Sequence, residues 1–428
     1  LSLTDGLVSQ QLALKKYHRS LLESGEYWRQ SMTRFNAQNR VDATLISNLR
    51  IMRRTLINQI SKRCDKSKEI ITGVVHALLS RSIFIKYLEE RKDSNGETVF
   101  PQDFYCNFME SAKWYTDVLN SKEATYNLFL TLKDKFNGDT LQVSEIETEI
   151  ITQDDLDELR TFILGNSELE SRQLTLWPLY SFDIIPIQLI SSIYELFFHL
   201  SDEEDEKGTY YTPLHLVNLV MDEVYPWEGE YKDISFFDPS CGSGIFLVEA
   251  YRRLVCRWMS QNAVQAITCD RLNLLLKNSI FGVDINEEAI RVASFSLSLA
   301  MCDFLDPRSI WDKLSFPSLL GKNLISSDFF DEDKSFNKER YDVIVGNPPW
   351  QSNITEKTKE YLKKVNRVIG DKQIAQAFSI KCSELCKQNG IICLLMPSKG
   401  LLFNRSDKSR MYRANLFSDN NVLAIINL

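Results

Sequence analysis

Two different hydrophobic patterns divide the chain into two parts. In the first part, apolar residues recur at a spacing near 3.6 within 47–60 and 70–88, and glycine is sparse, which predicts amphipathic helices. A further apolar helix is predicted at 191–200, and the charged segment 201–206 follows it as a connector. The pattern therefore predicts an all-helical N-terminal domain over residues 1–200.

The second part alternates between two kinds of element. From about residue 208, short apolar runs typical of strands are separated by amphipathic helical runs such as 214–224. This alternation predicts a parallel sheet joined by crossover helices, so residues 201–428 are expected to form an α/β domain. Ligands of such sheets bind beyond the carboxyl ends of the strands. The six predicted strands lie at 234–237, 280–283, 322–326, 341–345, 390–396 and 422–427.

The composition is that of an ordinary soluble protein with two or three domains. The 428 residues are 44% hydrophobic and 25% charged. No uninterrupted apolar run reaches the ~18 residues of a membrane span, so no membrane partner is expected. The nine cysteines include no Cys-x-x-Cys pair and only four histidines accompany them, which favours free thiols in a reducing cytoplasm and no metal site. Cys382 and Cys386 are predicted to share a helix.

The net charge of −8 creates no general basic field for nucleic acid, but the charges are unevenly distributed. Basic residues are concentrated in 34–68 and acidic residues in 139–170. We interpret the basic stretch as a solvated face, with contacts to DNA phosphates as the alternative. The acidic stretch is not expected to touch DNA. His76 lies in an apolar run and is predicted to be a satisfied core or interface histidine.

A glycine-rich turn follows the predicted strand 234–237, and the helix-like run 245–255 follows the turn. Its two glycines, Gly242 and Gly244, permit a tight strand-to-helix turn with close backbone approach to a ligand. The helix N-terminus then offers unpaired N–H groups. The turn is not the Gly-x-Gly-x-x-Gly dinucleotide fingerprint. It reads Asp238-Pro239-Ser240-Cys241-Gly242-Ser243-Gly244.

A second motif, Asn347-Pro348-Pro349-Trp350, follows the predicted strand 341–345. The stiff Pro-Pro turn holds the Asn347 amide and a backbone carbonyl in place, and an aromatic ring comes directly after. This set suits a planar group that bears an amino group, since it supplies two acceptors and a stacking surface. An ordinary loop start is the alternative for the tetrapeptide taken alone.

The two motifs together resemble those of the DNA adenine-N6 methyltransferases. The resemblance implies a class I Rossmann-like methyltransferase core and S-adenosylmethionine as the cofactor. It also implies a set of cofactor-binding residues, which are Thr209, Tyr210, Tyr211, Thr212, Asp238, Pro239, Ser240, Cys241, Gly242, Gly244, Asp284, Ile285, Asp328, Phe329 and Asn347.

Within that set, the acidic residues have the most defined roles. Asp284, at the end of the second predicted strand, is expected to accept the ribose hydroxyls, and Ile285 to pack on the cofactor adenine. A helix N-terminal charge is the alternative for Asp284. Asp328 resembles the residue that borders the adenine, with Phe329 beside it, and a solvated loop residue is the alternative.

The segment Gly208-Thr209-Tyr210-Tyr211-Thr212-Pro213 resembles a family element that closes over the methionine end of the cofactor. Thr212 is also predicted to cap the helix that follows, with Pro213 as its first residue.

The resemblance assigns catalysis to Asn347, Pro348, Pro349 and Trp350. The Asn347 side-chain oxygen and the Pro348 carbonyl would accept the N6 hydrogens of a flipped adenine, and Trp350 would stack on the base. No cysteine nucleophile is needed, and Cys241 is interpreted as small packing. The family usually carries Tyr or Phe where this chain has Trp350, and the larger ring narrows the pocket.

The order of the motifs is that of family members whose target-recognition domain comes last. We therefore expect a piece of a longer polypeptide that lacks the end of the sheet and that domain. DNA is the implied partner, within a restriction-modification or phage-defence system that could include a nuclease, a helicase or a specificity subunit.

Three alternatives stay open. A protein glutamine-N5 methyltransferase grips the same NH2 group with the same motif. An RNA adenine methyltransferase would use the same chemistry. A non-catalytic subunit of a defence complex would keep the fold without turnover.

Overall fold

The computed structural model describes residues 41–93, 95–137, 139–165 and 212–427. The predicted helix at 191–200 and the connector 201–206 lie outside the described residues, and so the predicted division near residue 200 stays a prediction.

The N-terminal part that the structure describes is helical, as predicted. The first two helices contain the predicted runs 47–60 and 70–88, and the Ser67 side chain caps the second by accepting from the backbone N–H of Ile70. Short 3-10 turns at Phe104–Asn107 and Asp139–Leu141 connect the later helices. The helices are α1 (Val41–Arg63), α2 (Lys68–Glu90), α3 (Tyr115–Val118), α4 (Lys122–Phe136), α5 (Glu145–Ile150) and α6 (Gln153–Leu164).

Helix α2 is long and apolar enough, by length and composition alone, to cross a membrane. Most of it is buried inside the protein, where Val75, Leu78 and Leu79 are fully enclosed. It is therefore a core helix of the part of the chain that the structure describes.

The α/β part alternates as predicted. Its helices are α7 (Leu214–Val224), α8 (Ile245–Gln261), α9 (Cys269–Ser279), α10 (Glu287–Cys302), α11 (Pro307–Lys313), α12 (Glu356–Lys364), α13 (Ile374–Leu385) and α14 (Asp407–Asp419). Its strands are β1 (Phe236–Asp238), β2 (Ile280–Asp284), β3 (Leu324–Ser326), β4 (Tyr341–Gly346) and β5 (Cys386–Leu394).

These five strands form one parallel sheet in the order β3-β2-β1-β4-β5. Because alternate residues of a strand point to opposite faces, Phe236 packs into an apolar core shared with the N-terminal helices, while Phe237 packs into a second core under α12 and α13. The chain order turns back at β1, between β2 and β4. The carboxyl ends of β1 and β4 therefore lie side by side at the topological switch point, where such sheets bind ligands.

Two strand predictions need correction. Strand β5 begins at Cys386, earlier than the predicted start at 390, so Cys386 does not share a helix with Cys382. The predicted strand at 422–427 is wrong, because this segment pairs with no strand among the described residues and Leu423 is 76% exposed. An apolar run becomes a strand only where a neighbouring edge can take its backbone hydrogen bonds.

The basic and acidic stretches meet in the folded chain. Arg63 pairs with Asp155, and Lys66 Nζ lies 3.9 Å from Glu149 Oε2. Part of the predicted basic face is thus neutralised by the acidic stretch, while Arg34 and Arg40 lie outside the described residues.

The prediction for His76 is confirmed, since the ring is buried at the α2–α10 contact and accepts from Arg53 Nε at 2.9 Å.

Candidate functional site

The glycine loop turns sharply from β1 into α8. Gly242 and Gly244 adopt φ values of 51° and 85°, in the left-handed region that favours glycine. A Cβ on Gly244 would also lie 3.0 Å from the Cβ of Ala293, so helix α10 closes over the turn. Cys241 is buried, and its Sγ lies against Gly282 of β2, as expected for a packing residue. The turn thus lies at the carboxyl edge of the sheet, held by bonds from the Cys241 N–H to the Val283 carbonyl and from the Gly244 N–H to the Cys241 carbonyl.

Asp284, at the end of β2, connects the two cofactor motifs. Its Oδ2 accepts from the Gly242 N–H at 2.9 Å, and its Oδ1 accepts from the Asn286 N–H at 2.9 Å. Asn286, rather than Asp284, caps helix α10. A carboxylate has about four lone-pair sites, so these bonds leave capacity for ribose hydroxyls. Ile285 beside it is 70% exposed and presents an apolar surface to an incoming ring.

The ends of β1 and β4 touch through Asp238 and Gly346. Asp238 is 1% exposed, and its Oδ1 accepts from the Ser240 N–H at 3.0 Å. A Cβ on Gly346 would lie only 2.6 Å from that same Oδ1. Glycine at this position therefore lets the glycine loop and the Asn-Pro-Pro-Trp turn approach each other.

Asn347 presents an acceptor into this junction. Its Nδ2 donates to Thr212 Oγ1 at 3.1 Å, which orients the amide. The Oδ1 atom is buried and has no hydrogen-bond partner among the described residues. A buried acceptor without a partner costs about 1–3 kcal/mol, so it marks a position where a donor of a ligand can bind.

Trp350 stands at the mouth of a cleft beside Asn347. The ring is 47% exposed, and its Nε1 donates to the Leu395 carbonyl after β5 at 3.3 Å. This bond ties the ring to the backbone that follows β5. The cleft has a volume of about 150 Å³ and is lined by Pro349, Trp350, Gln351, Ser352, Gln373, Ala375 and Pro397.

The loop after β3 carries Asp328 and Phe329. Asp328 Oδ1 accepts from the Phe330 N–H at 2.8 Å, and its Oδ2 accepts from Thr355 Oγ1 at 3.0 Å. The Phe329 ring is buried and stacks on Phe378 with ring centroids 4.8 Å apart. The ring of Phe329 therefore belongs to the core beneath the loop.

One prediction for Thr212 is wrong. Helix α7 begins at Leu214 with Pro213 as its N-cap residue, and no side chain caps it. The Thr212 hydroxyl instead accepts from Asn347. The predicted cofactor residues Thr209, Tyr210 and Tyr211 lie outside the described residues.

Sequence reasoning missed Ser243. Its hydroxyl and that of Ser240 are buried without a hydrogen-bond partner in the described part of the chain. In the sequence, a serine between two glycines gives no sign of a function. The burial of its Oγ is seen only in the folded turn.

The sheet order, the glycine loop after the central strand and the Asn-Pro-Pro-Trp turn after its neighbour define a class I, Rossmann-like methyltransferase fold. Two family models match the chain. Residues 278–428 match the Eco57I restriction-modification methylase family, and residues 225–308 match the DNA-methyltransferase domain of MmeI. The predicted resemblance is confirmed, since residues 225–428 are similar to the methylase domains of restriction-modification enzymes.

Individual relatives agree with this assignment. The adenine-specific methyltransferase PglX of Streptomyces coelicolor is 32% identical over 30% of this chain and 13% of its own length. The type II restriction enzyme and methyltransferase RM.Eco57I of Escherichia coli is 23% identical over 54% of this chain and 29% of its own length. The chain thus spans less than a third of either relative.

A solved structure supports the fold. The type IIL restriction-modification enzyme MmeI in complex with DNA superposes with a TM-score of 0.53 and 15% identity, over 87% of this chain and 53% of that one. At this identity the likeness shows the fold alone.

Proposed function

We propose that this protein transfers a methyl group from S-adenosylmethionine to the N6 amino group of a flipped adenine in DNA. The observation that carries the proposal is the buried Oδ1 of Asn347, an oriented acceptor without a partner among the described residues. It lies between a glycine loop and an exposed aromatic ring. The relative PglX, an adenine-specific methyltransferase, supports adenine as the target, and RM.Eco57I, a restriction enzyme and methyltransferase, supports methyl transfer.

The residues at the carboxyl edge of the sheet fit the cofactor. The glycine loop, with Gly242 and Gly244 at positive φ and without side chains, would let the methionine end of the cofactor approach the backbone closely. Asp284 would accept the ribose hydroxyls, and the exposed Ile285 would pack on the adenine. When bound, S-adenosylmethionine supplies an electrophilic methyl group on its sulfonium.

Asn347 and Pro348 would activate the amino group. Its lone pair is delocalised into the adenine ring, which makes the nitrogen a poor nucleophile. Two oxygens that accept its hydrogens favour a tetrahedral nitrogen, whose lone pair is available. The hydrogen that the nitrogen must lose then points at one of these acceptors, from which it can pass to solvent.

Trp350 would stack on the base and hold it in line for transfer. An adenine within a duplex cannot reach this cleft, so it must be flipped out at a cost of a few kcal/mol. The proposed partners are DNA and a nuclease, a helicase or a specificity subunit of a defence system.

We also propose that residues 1–200 form a helical domain and residues 201–428 the methyltransferase core. The described helices of the N-terminal part pack on the core directly. The Arg91 guanidinium donates to the Leu305 carbonyl at 3.2 Å, and the Asp139 carboxylate accepts from the Leu319 N–H at 2.9 Å.

The test offers the full-length protein radiolabelled S-adenosylmethionine together with unmethylated duplex DNA, total RNA or soluble protein. We expect label in DNA, recovered as N6-methyladenine. Asn347→Ala should lower the rate by roughly a hundredfold or more, because it removes an oriented acceptor from the reacting nitrogen. Asn353→Ala, at an exposed asparagine nearby, is the matched control and should keep the wild-type rate.

Two other results of this experiment would change the proposed substrate or the proposed activity. Label found only in RNA, or only in protein glutamine, would replace the substrate and keep the fold and cofactor. Cofactor binding without transfer to any of the three would favour a non-catalytic subunit.

A further inference from the structure

A lysine lies inside the aromatic core beneath the cofactor edge. Lys381, on α13, is 3% exposed. Its Nζ lies 4.9–5.7 Å from the centroids of four aromatic rings. These rings belong to Phe329, Phe330, Phe336 and Tyr361.

Burying the amine of Lys381 among these rings costs desolvation free energy, and packing contacts alone do not require an amine there. Burial lowers the pKa of Lys381 to about 8, against the partly compensating carboxylates of Glu332, Glu384 and Asp328. Ring faces replace part of the lost hydration. An apolar side chain of similar volume would fill the same space without a desolvation cost. We therefore expect the amine to have a role that needs a hydrogen-bond donor, which methionine lacks.

The hydrogen bond made by the Lys381 amine indicates its role. Lys381 Nζ donates to the Phe329 carbonyl at 2.5 Å. This carbonyl belongs to the loop that follows β3, directly after Asp328. The lysine thus holds the loop from the core side.

Two other bonds fix the same loop from different directions. Thr355, the N-cap of α12, donates to Asp328 Oδ2 at 3.0 Å. The Ser327 N–H donates to the Asp284 carbonyl at 2.8 Å, which ties the loop to the residue predicted to hold the ribose. Removing Lys381 would leave the outer anchors and release the inner one.

We propose that Lys381 is a positioning residue for cofactor binding: it anchors residues 327–331 from below, so that Asp328 is preorganised to meet the adenine of S-adenosylmethionine. The inference rests on the proposed function. It concerns ground-state binding of the cofactor, because Lys381 touches neither Asn347 nor Trp350 among the contacts described.

The test compares Lys381→Met with wild type in the full-length protein. Methionine keeps the volume and removes the donor. We expect cofactor affinity, measured by calorimetry at pH 7.5, to weaken roughly tenfold, because a buried carbonyl loses its donor and the loop loses its anchor. At saturating cofactor, kcat should stay within about twofold of wild type. Lys363→Met, at an exposed lysine of α12, is the matched control and should bind as wild type does.

A second readout does not depend on catalysis. Hydrogen exchange of amides 327–331 without cofactor should be faster in Lys381→Met than in wild type, with protection elsewhere unchanged. Lys381→Arg, which keeps donors, should recover part of the affinity.

Unchanged affinity and unchanged exchange in Lys381→Met would overturn the proposal. So would failure of Lys381→Met to fold, since the amine would then serve folding rather than positioning. If wild type binds no S-adenosylmethionine, the proposed function itself fails, whereas the exchange experiment still reports whether Lys381 holds the loop.

Discussion

The Asn347 side chain is held by Thr212, which lies 135 residues earlier in the chain and accepts from Asn347 Nδ2 at 3.1 Å. This bond decides which end of the amide would face the proposed substrate. It turns the oxygen, rather than the NH2 group, toward the position where an amino group would bind. The segment before α7 is thereby joined to the Asn-Pro-Pro-Trp turn.

Thr212→Val should lower kcat, because valine has a similar shape but cannot accept the Asn347 N–H, so the amide loses its orientation. We expect a fall of roughly tenfold, the effect of one hydrogen bond. Single-turnover rates at saturating cofactor measure this. Thr212→Ser keeps the hydroxyl and should stay near wild type, and equal losses in the serine and valine variants would contradict an orienting role.

Gly346→Ala should both destabilise the fold and weaken cofactor binding, since its Cβ would lie 2.6 Å from Asp238 Oδ1. Overpacking of this kind costs about 1–3 kcal/mol. Chemical denaturation and calorimetric titration with S-adenosylmethionine measure the two effects. The control is Gly73→Ala in α2, where a Cβ would meet nothing closer than 3.4 Å and helix propensity favours alanine. A Gly346→Ala protein as stable as wild type would show that β1 and β4 can move apart at this edge.

Arg81→Met should strongly destabilise the N-terminal helices. Arg81 and Glu147 are fully buried, with Nη1 to Oε1 at 2.7 Å. Leaving Glu147 as an unpaired buried charge costs about 3–5 kcal/mol. Urea denaturation should show this loss, and the double variant Arg81→Met/Glu147→Met should recover much of it. Arg54→Met, at an exposed site of α1, should change stability by no more than about 0.5 kcal/mol.

The stability of wild type should rise relative to Lys381→Met as the pH increases from about 8 toward 10.5. The pKa of Lys381 is about 8 in the folded protein and near 10.5 in the unfolded chain, so the unfolded chain binds more protons in that interval. The destabilising effect of the buried charge is fully present below pH 8 and disappears as the pH approaches 10.5.

Thermal unfolding of both proteins at several pH values measures this difference. The groups that face the amine are Glu332 and Asp328 from the β3 loop, Tyr361 from α12, and Glu384 and Cys382 from α13. All are present in both proteins, so their own titration largely cancels in the comparison. If the difference in stability between wild type and Lys381→Met stays constant between pH 8 and 10.5, the result would contradict a lowered pKa of Lys381.

Local patterns were sufficient for much of the fold. The helical spacing in 47–60 and 70–88 predicted α1 and α2, and apolar runs placed β1 to β4, because both depend on contacts between near neighbours in the chain. The glycine loop and the Asn-Pro-Pro-Trp turn were recognisable for the same reason, since each is a short segment at the end of one strand.

The sequence by itself thus determined the fold class, the family resemblance and the identity of the motif residues. Only the tertiary structure decided that Thr212 orients Asn347, that Arg63 meets Asp155, that 422–427 joins no described strand, and that Lys381 lies under the Asp328 loop. Each of these depends on which distant segments pack together. Hydrophobic periodicity reports the face that a residue occupies on its own element, but it does not identify the side chain on the opposite element.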